Sequence, residues 1–136
     1  TYVGGTFLWP LPSSYTYITC PYGMRNHPIT GKYKLHTGVD IRVGSGVNIF
    51  AANGGTVITS TYSAAYGNYV VINHGGGVST LYAHMSKRAV SKGDVVSQGD
   101  VIGYVGSTGY STGPHLHFEI IKNGSTIDPM TEFTKQ

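Results

Sequence analysis

Apolar residues in this chain recur at every second position over short runs, and no segment carries the three-and-four spacing of a long amphipathic helix. The stretch Pro114-His115-Leu116-His117-Phe118-Glu119-Ile120-Ile121 shows the alternation most plainly. Leu116, Phe118 and Ile120 fall on one face of a strand, and His115, His117 and Glu119 fall on the other. Pro114 cannot donate to a sheet ladder and restricts the residue before it, so it fits only as an opening residue and the strand starts at the histidines. The pattern predicts a half-buried strand with its imidazoles on display.

The rest of the chain is punctuated in the same way. Residues 1–14, with Trp9-Pro10-Leu11-Pro12, are too proline-rich for a helix or a central strand and are expected to wrap the outside of the core. Tyr15 to Cys20 alternates as a strand closed by Pro21 and Gly23. Residues 23–38 show no sustained period and read as a long polar loop that holds Arg25 and His27 and delivers His36. Asp40 to Val43 is a strand. Val47–Ala52 and Thr56–Tyr62 are two more, expected to form a hairpin through Asn53-Gly54-Gly55, whose residue types accept positive φ. Tyr69–Asn73 is an apolar strand turned by His74-Gly75-Gly76-Gly77, where His74 is expected to be exposed. The return strand carries Val78, Thr80, Tyr82 and His84 on one face, with His84 at its end. Loop residues 106–113 lead into the histidine strand, and a tail begins at Asp128-Pro129. The predicted fold is all-β, an antiparallel sandwich or partly open barrel of roughly eight or more short strands with a groove walled by loops.

Lys92-Gly93-Asp94 and Gln98-Gly99-Asp100, each placed before apolar residues, resemble the hammerhead of biotinyl and lipoyl carrier domains. Those domains need a modifiable lysine between Met or Ala neighbours at a hairpin tip, and this chain has no such tripeptide. The likeness is one of strand and turn geometry, and a carrier function fails for want of the lysine.

At 136 residues the chain is expected to be a single domain, 1–136, long enough to bury a core without staples. Its apolar runs are far shorter than the roughly 20 residues of a spanning helix, so no membrane segment is predicted. It starts at Thr1 with neither an initiator Met nor a signal peptide, as a mature or excised catalytic piece would. Charged residues are 11 % of the chain, against 20 glycines and 11 tyrosines, which predicts a surface of Tyr, Thr, Ser, Asn and Gly rather than of ion pairs. The net charge of +3 is scattered, with Lys32/Lys34 and Lys87/Arg88 the densest groups, so no nucleic-acid partner is predicted. Cys20 stands alone and cannot form an internal disulfide; between Thr19 and Pro21 it reads as a small buried hydrophobe.

The chemistry lies in the histidines. One histidine on a strand is ordinarily packed or solvated, but two at i and i+2 have Cα atoms roughly 6.5 Å apart on one face and can address a single ion. With six histidines and one cysteine, a zinc site would be built from His and carboxylate. His36 and Asp40 would lie roughly 13 Å apart in a straight strand, so the chain must bend between them, with Gly38 supplying the freedom to do so. His36, Asp40, His84, His115 and His117 then stand out as one set. Three N or O ligands and an open position for water make a catalytic zinc, and the two remaining histidines would flank the water as acid, base or oxyanion partner. Spacing does not decide which member of His115/His117 binds the metal.

His36-x-x-x-Asp40, Leu81-Tyr82-Ala83-His84 and Gly113-Pro114-His115-Leu116-His117-Phe118-Glu119, in this order, resemble the lysostaphin-type (LytM-like) zinc metallopeptidases that cleave peptidoglycan. The likeness runs from Tyr22-Gly23-Met24-Arg25 through Lys92-Gly93 to Asp128-Pro129. It departs from the family where Tyr22 stands for the usual Phe and Cys20 for a frequent Ser. The resemblance implies one zinc per chain held by His36, Asp40 and His117, with His84 and His115 as catalytic residues beside the activated water. It implies a small antiparallel sheet with a groove walled by residues 23–35, 44–48, 62–68 and 106–113, and a peptidoglycan peptide as partner. It also implies an extracytoplasmic location and an upstream regulatory region outside this chain. It assigns Arg25 no role and names no substrate-binding residue. The alternative is a non-catalytic cell-wall-binding or amidase-activating module of the same fold, against which stands the completeness of the ligand set.

Overall fold

The computed structural model describes residues 7–11, 18–20, 23–26, 33–36, 38–64, 66–107 and 114–127, with the backbone alone in 18–20, 23–26 and 33–36. Among these residues there are twelve strands and no helix. They are β1 (Ile18–Cys20), β2 (Gly23–Asn26), β3 (Tyr33–His36), β4 (Val39–Arg42), β5 (Asn48–Phe50), β6 (Gly55–Ser63), β7 (Gly67–Gly75), β8 (Val78–Arg88), β9 (Val95–Val96), β10 (Val101–Val105), β11 (His115–Lys122) and β12 (Ser125–Ile127). The main sheet runs β1-β4-β11-β8-β7-β6-β9 without closing on itself, and β2 and β3 form a separate pair. Every pairing is antiparallel.

Two central strands organise the sheet. β11 pairs with β4 over His115–Phe118 and with β12 over Ile120–Lys122 on one edge, and with β8 over His117–Lys122 on the other. β8 is longer than its neighbour. Along its outer edge it pairs with β11 up to Ala83 and with β10 from Met85 onward, while β7 covers its other edge. The change of partner falls at His84, which has φ 63, a left-handed conformation that an L-residue adopts only at a cost of about 1–2 kcal/mol. The core gathers beneath these strands. Val39 and Ile41 of β4, Leu116, Phe118 and Ile120 of β11, Tyr82 of β8, and Val70 and Ile72 of β7 are fully buried in one cluster with Phe7, Trp9 and Leu11. Phe118 lies opposite Tyr82 in register, with ring centroids 5.3 Å apart. Each such side chain contributes about 1.5–3 kcal/mol by leaving water.

The all-strand, open antiparallel architecture agrees with the sequence, as do the opening of β11 at His115 and the Gly75-Gly76-Gly77 turn, whose three φ values are 86, 60 and 82. Other expectations are corrected. β11 is not half-buried: His117 and Glu119, 6 % and 3 % exposed, are buried along with the apolar residues of the opposite face, and the Tyr66 ring lies over the His117 imidazole. Part of the expected polar loop at 23–38 is instead the β2–β3 ladder, with Met24 opposite Leu35 and Arg25 opposite Lys34. Backbone hydrogen bonds make that pair, so no apolar alternation announces it.

The expected hairpin at Asn53-Gly54-Gly55 does not form. β5 pairs with β10, and β6 pairs with β7 and β9. None of the three residues has positive φ. Gly55 is needed for room, since a Cβ there would run into the Asn73 carbonyl. Gly38 serves the same purpose: the chain bends there, but a Cβ would strike the Phe118 carbonyl oxygen and lie 2.8 Å from Glu119 Cγ. A further turn, Asn123-Gly124 with φ 53 and 83, joins β11 to β12. His84 is inside β8 rather than at its end.

His74 is 1 % exposed, not solvated. Its Nδ1 bonds the Gly54 carbonyl and its Nε2 bonds Thr80 Oγ1, both at 2.8 Å. The two Asp-containing turns repeat one design. Asp94 N–H donates to the Ser91 carbonyl and Asp100 N–H to the Ser97 carbonyl at 3.0 Å, while each carboxylate accepts the N–H of its own serine at 2.8 Å. Of the N-terminal segment, Phe7–Leu11 lies along β5, with Leu8 N–H on the Ala52 carbonyl and Phe50 N–H on the Pro10 carbonyl, each 2.8 Å. Residues 1–6 and 12–14, the loop residues 108–113 and the tail from Asp128 lie outside the described residues, as do the side chains of Cys20 and Arg25.

Candidate metal and catalytic site

The register of β4, β11 and β8 brings the predicted residues together. Asp40 is directly opposite His117 across the β4–β11 ladder, and His117 is opposite Ala83 on β8, one residue before His84. Asp40 Oδ1 lies 2.8 Å from His117 Nδ1 and 3.7 Å from His115 Nε2. The first is hydrogen-bond distance and the second is not. His115 therefore faces the same carboxylate without being bound to it. The bend at His84 turns its imidazole to the same place, with ring centroids 4.7 Å from His115 and 6.1 Å from His117.

Backbone contacts fix that cluster. His84 N–H donates to the Tyr66 carbonyl at 2.7 Å, Gly106 N–H donates to the His84 carbonyl at 3.0 Å, and His115 N–H donates to the Gly106 carbonyl at 3.3 Å. Gly106 thus joins the two strands that carry His84 and His115, and it packs so close to Ser86 that a Cβ would fall 2.5 Å from the Ser86 nitrogen.

His117 is held from both sides. Its Nε2 is 2.8 Å from Glu119 Oε2, which also accepts the Tyr66 hydroxyl at 2.9 Å. A carboxylate can only accept, so each ring nitrogen faces an acceptor, and a neutral imidazole can donate to Glu119 or to Asp40 but not to both. When Nε2 carries the single proton, the Nδ1 lone pair meets Asp40 Oδ1 at 2.8 Å. Two acceptors at this distance repel unless a cation lies between them. In the protein without metal a second proton fills the role. Burial alone would lower the His117 pKa, but the hydrogen bonds and charges of Asp40 and Glu119 outweigh it and raise it to about 9. Zinc, taking N and O donors at about 2 Å, suits the same donor set.

Four of the five residues singled out in the sequence are therefore neighbours: Asp40, His84, His115 and His117. The backbone of His36 ends β3 opposite Gly23, and its side chain lies outside the described residues. Among the described residues no group of three His, Cys, Asp or Glu is arranged to hold a metal, as expected when only two of the three predicted ligands are in view. Sequence reasoning missed Tyr66 and gave Glu119 no task. The period-two pattern did place Glu119 on the imidazole face, which was the available signal; nothing local marks Tyr66.

Asp40 and His117 thus lie beside two further imidazoles on an open β-sheet. The sequence profile of peptidase family M23 matches residues 34–129, and the chain belongs to that family of zinc metallopeptidases. It is 45 % identical over 120 residues to the DD-carboxypeptidase/endopeptidase Mpg of Neisseria meningitidis serogroup B, covering 88 % of this chain and 28 % of that protein. It is also 45 % identical over 107 residues to the peptidoglycan DD-endopeptidase ShyC of Vibrio cholerae, covering 79 % of this chain and 25 % of the relative. The chain thus spans about a quarter of the length of these relatives.

Among solved structures, a zinc-containing peptidase from Vibrio cholerae superposes with TM-score 0.87 at 36 % identity, over 93 % of this chain and 40 % of that one. The catalytic domain of lysostaphin from Staphylococcus simulans does so with TM-score 0.79 at 35 % identity, over 91 % and 95 %. A chain of the SpoIIQ–SpoIIIAH pore-forming complex shares the fold too, with TM-score 0.82 at 27 % identity, over 94 % and 90 %.

Proposed function

We propose that this domain is a zinc-dependent endopeptidase acting on peptide stems or cross-links of bacterial peptidoglycan, with His36, Asp40 and His117 as metal ligands and His84 and His115 as catalytic residues. The observation that carries the proposal is His117 Nδ1 held 2.8 Å from Asp40 Oδ1 with two more imidazoles beside them. Bound zinc would supply Lewis-acid polarisation of a carbonyl and a water of lowered pKa. One imidazole of the His84/His115 pair is placed to take the proton of the attacking water and pass it to the leaving amine; the other hydrogen-bonds the developing oxyanion. The enclosure of His117 and the Tyr66 ring excludes bulk water from one side of the site and leaves Asp40 and His115 on the open side.

The relatives named above carry DD-endopeptidase in their names, so a cross-link between D-amino acids is the first substrate to try, and a glycyl bond the second. Action on cell wall would place the domain outside the cytoplasm. Regulation would come from segments beyond this chain, which is read as one domain. The fold shared with a chain of a pore-forming complex keeps a non-catalytic, wall-binding or amidase-activating module as the competing reading.

Metal content and turnover decide between the two, with mass spectrometry of fragments from cell walls of two cross-bridge chemistries to name the bond. The expected result is about one zinc per chain. His117→Ala loses zinc and activity together. His115→Ala and His84→Ala keep zinc and lose about 100-fold to 10,000-fold in kcat. No metal after reconstitution would end the enzyme reading. If His115→Ala loses zinc while His117→Ala keeps it, the two roles are exchanged.

A further inference from the structure

Glu119 is 3 % exposed, and a carboxylate that deep costs several kcal/mol in lost hydration unless its lone pairs are used. Here one oxygen takes two donors. Oε2 accepts His117 Nε2–H at 2.8 Å and the Tyr66 hydroxyl at 2.9 Å. The Tyr66 ring also lies over the His117 ring, with centroids 5.7 Å apart and planes at 27°. Imidazole, carboxylate and phenol form a closed triangle behind the lone pair that points at Asp40.

We propose that Glu119, held in place by Tyr66, is the positioning residue that locks His117 in its Nε2–H tautomer and thereby presents Nδ1 as a metal donor shared with Asp40. This rests on the reading of His117 as a zinc ligand. The alternative tautomer explains why a lock is needed. With its proton on Nδ1, a neutral His117 would donate to Asp40 across their 2.8 Å separation, satisfying both groups and closing the site to metal. Glu119 disfavours that alternative, because the Nδ1–H tautomer would set the Nε2 lone pair against a carboxylate 4 % exposed, whereas the Nε2–H tautomer leaves unpaired only Asp40, whose side chain is 16 % exposed and reaches solvent. Tyr66 makes the offer directional, occupying the second lone pair of Oε2 and stacking the ring so that it does not rotate. Carboxylates behind ligating histidines typically account for about 10-fold to 100-fold in metal affinity.

The test is zinc affinity of the intact domain, measured by competition with a chromophoric chelator, alongside the visible spectrum of the cobalt-substituted protein. Glu119→Ala should bind zinc about 10-fold to 100-fold more weakly than the parent and shift the cobalt bands. Glu119→Gln, nearly isosteric, should fall between the two because its amide presents either an oxygen or a nitrogen to Nε2, and it carries the test by itself should Glu119→Ala not fold. Tyr66→Phe keeps the ring and the Glu119–His117 bond, so its loss should be the smallest. His117→Ala sets the scale by losing zinc outright. Generic destabilisation would lower melting temperature without moving the cobalt spectrum of the folded fraction. Should both Glu119 variants bind zinc within about threefold of the parent, below the range for such carboxylates, while His117→Ala loses it, the positioning role is wrong and the ligand assignment stands. Unchanged zinc affinity in His117→Ala would overturn both.

Discussion

His74 shows what a single residue can hide. Gly54 offers only a carbonyl, so His74 Nδ1 carries the proton and Nε2 accepts from the Thr80 hydroxyl. The Thr80 oxygen then accepts the Tyr82 hydroxyl at 2.6 Å, and the Tyr82 oxygen accepts Ala52 N–H at 2.9 Å. Every buried group in this relay is satisfied while His74 is neutral; protonating Nε2 would turn the Thr80 hydroxyl toward the Tyr82 oxygen, and because the Ala52 N–H can only donate, the Tyr82 hydroxyl would lose its acceptor in the relay. Burial lowers the His74 pKa from 6.5, against the raising effect of the bond to Gly54. The unfolded chain therefore binds this proton more tightly than the folded one, and stability rises with pH until the unfolded group has titrated. The stability His74 contributes should be full above about pH 6.5 and be lost as pH falls through its lowered folded value. Denaturant midpoints from pH 8 to 5 should drop more steeply for the parent than for His74→Gln, and equal slopes would remove the argument. The glycines after His74 predict exposure. What buries it is Phe7, edge-on at 5.9 Å, and a carbonyl 20 residues upstream, neither visible in a local pattern.

Within β8 the informative point is the backbone of His84. A strand that must pair with β11 on one half and β10 on the other has to turn, and it turns at a residue whose φ of 63 would ordinarily call for glycine. The imidazole is kept at the expense of the backbone, a pattern that clusters at functional sites. His84→Gly and His84→Ala both remove the ring, so both should lose turnover. Their stabilities should differ in the unusual direction, with the glycine variant the more stable by about 1 kcal/mol because it alone occupies this conformation freely. Urea titration of the pair checks this, and an alanine variant at least as stable as the glycine one would contradict it. β4, β8 and β11 were legible through apolar alternation and β7 as an apolar run, because their apolar side chains enter the core. β2 and β3 were not, since their pairing is made by backbone groups that every sequence possesses. The Asn53-Gly54-Gly55 segment misled for a related reason: glycine signals positive φ and close approach alike, and here it meant the second.

For the molecule as a whole, the alternation and the scarcity of helix spacing gave the all-β class, while order and motif gave the family. The partners of each strand came only with the structure. Asp40 and His117 meet across 77 residues, a distance over which spacing carries no information and register carries all of it. The site is therefore a product of the complete sheet, and β8 makes that measurable. From residue 78 to residue 85 it is paired along both edges, to β7 on one side and to β11 then β10 on the other, so the amides there have no local route to deuterium and should exchange only when the entire sheet opens. Zinc binds the folded state and slows that opening by mass action. At free zinc one hundred times the dissociation constant, amides such as those of Tyr82 and Met85 should exchange about a hundredfold more slowly than in the metal-free protein. The clock for metal occupancy would thus be readable in the middle of the core, at positions that never touch the ion.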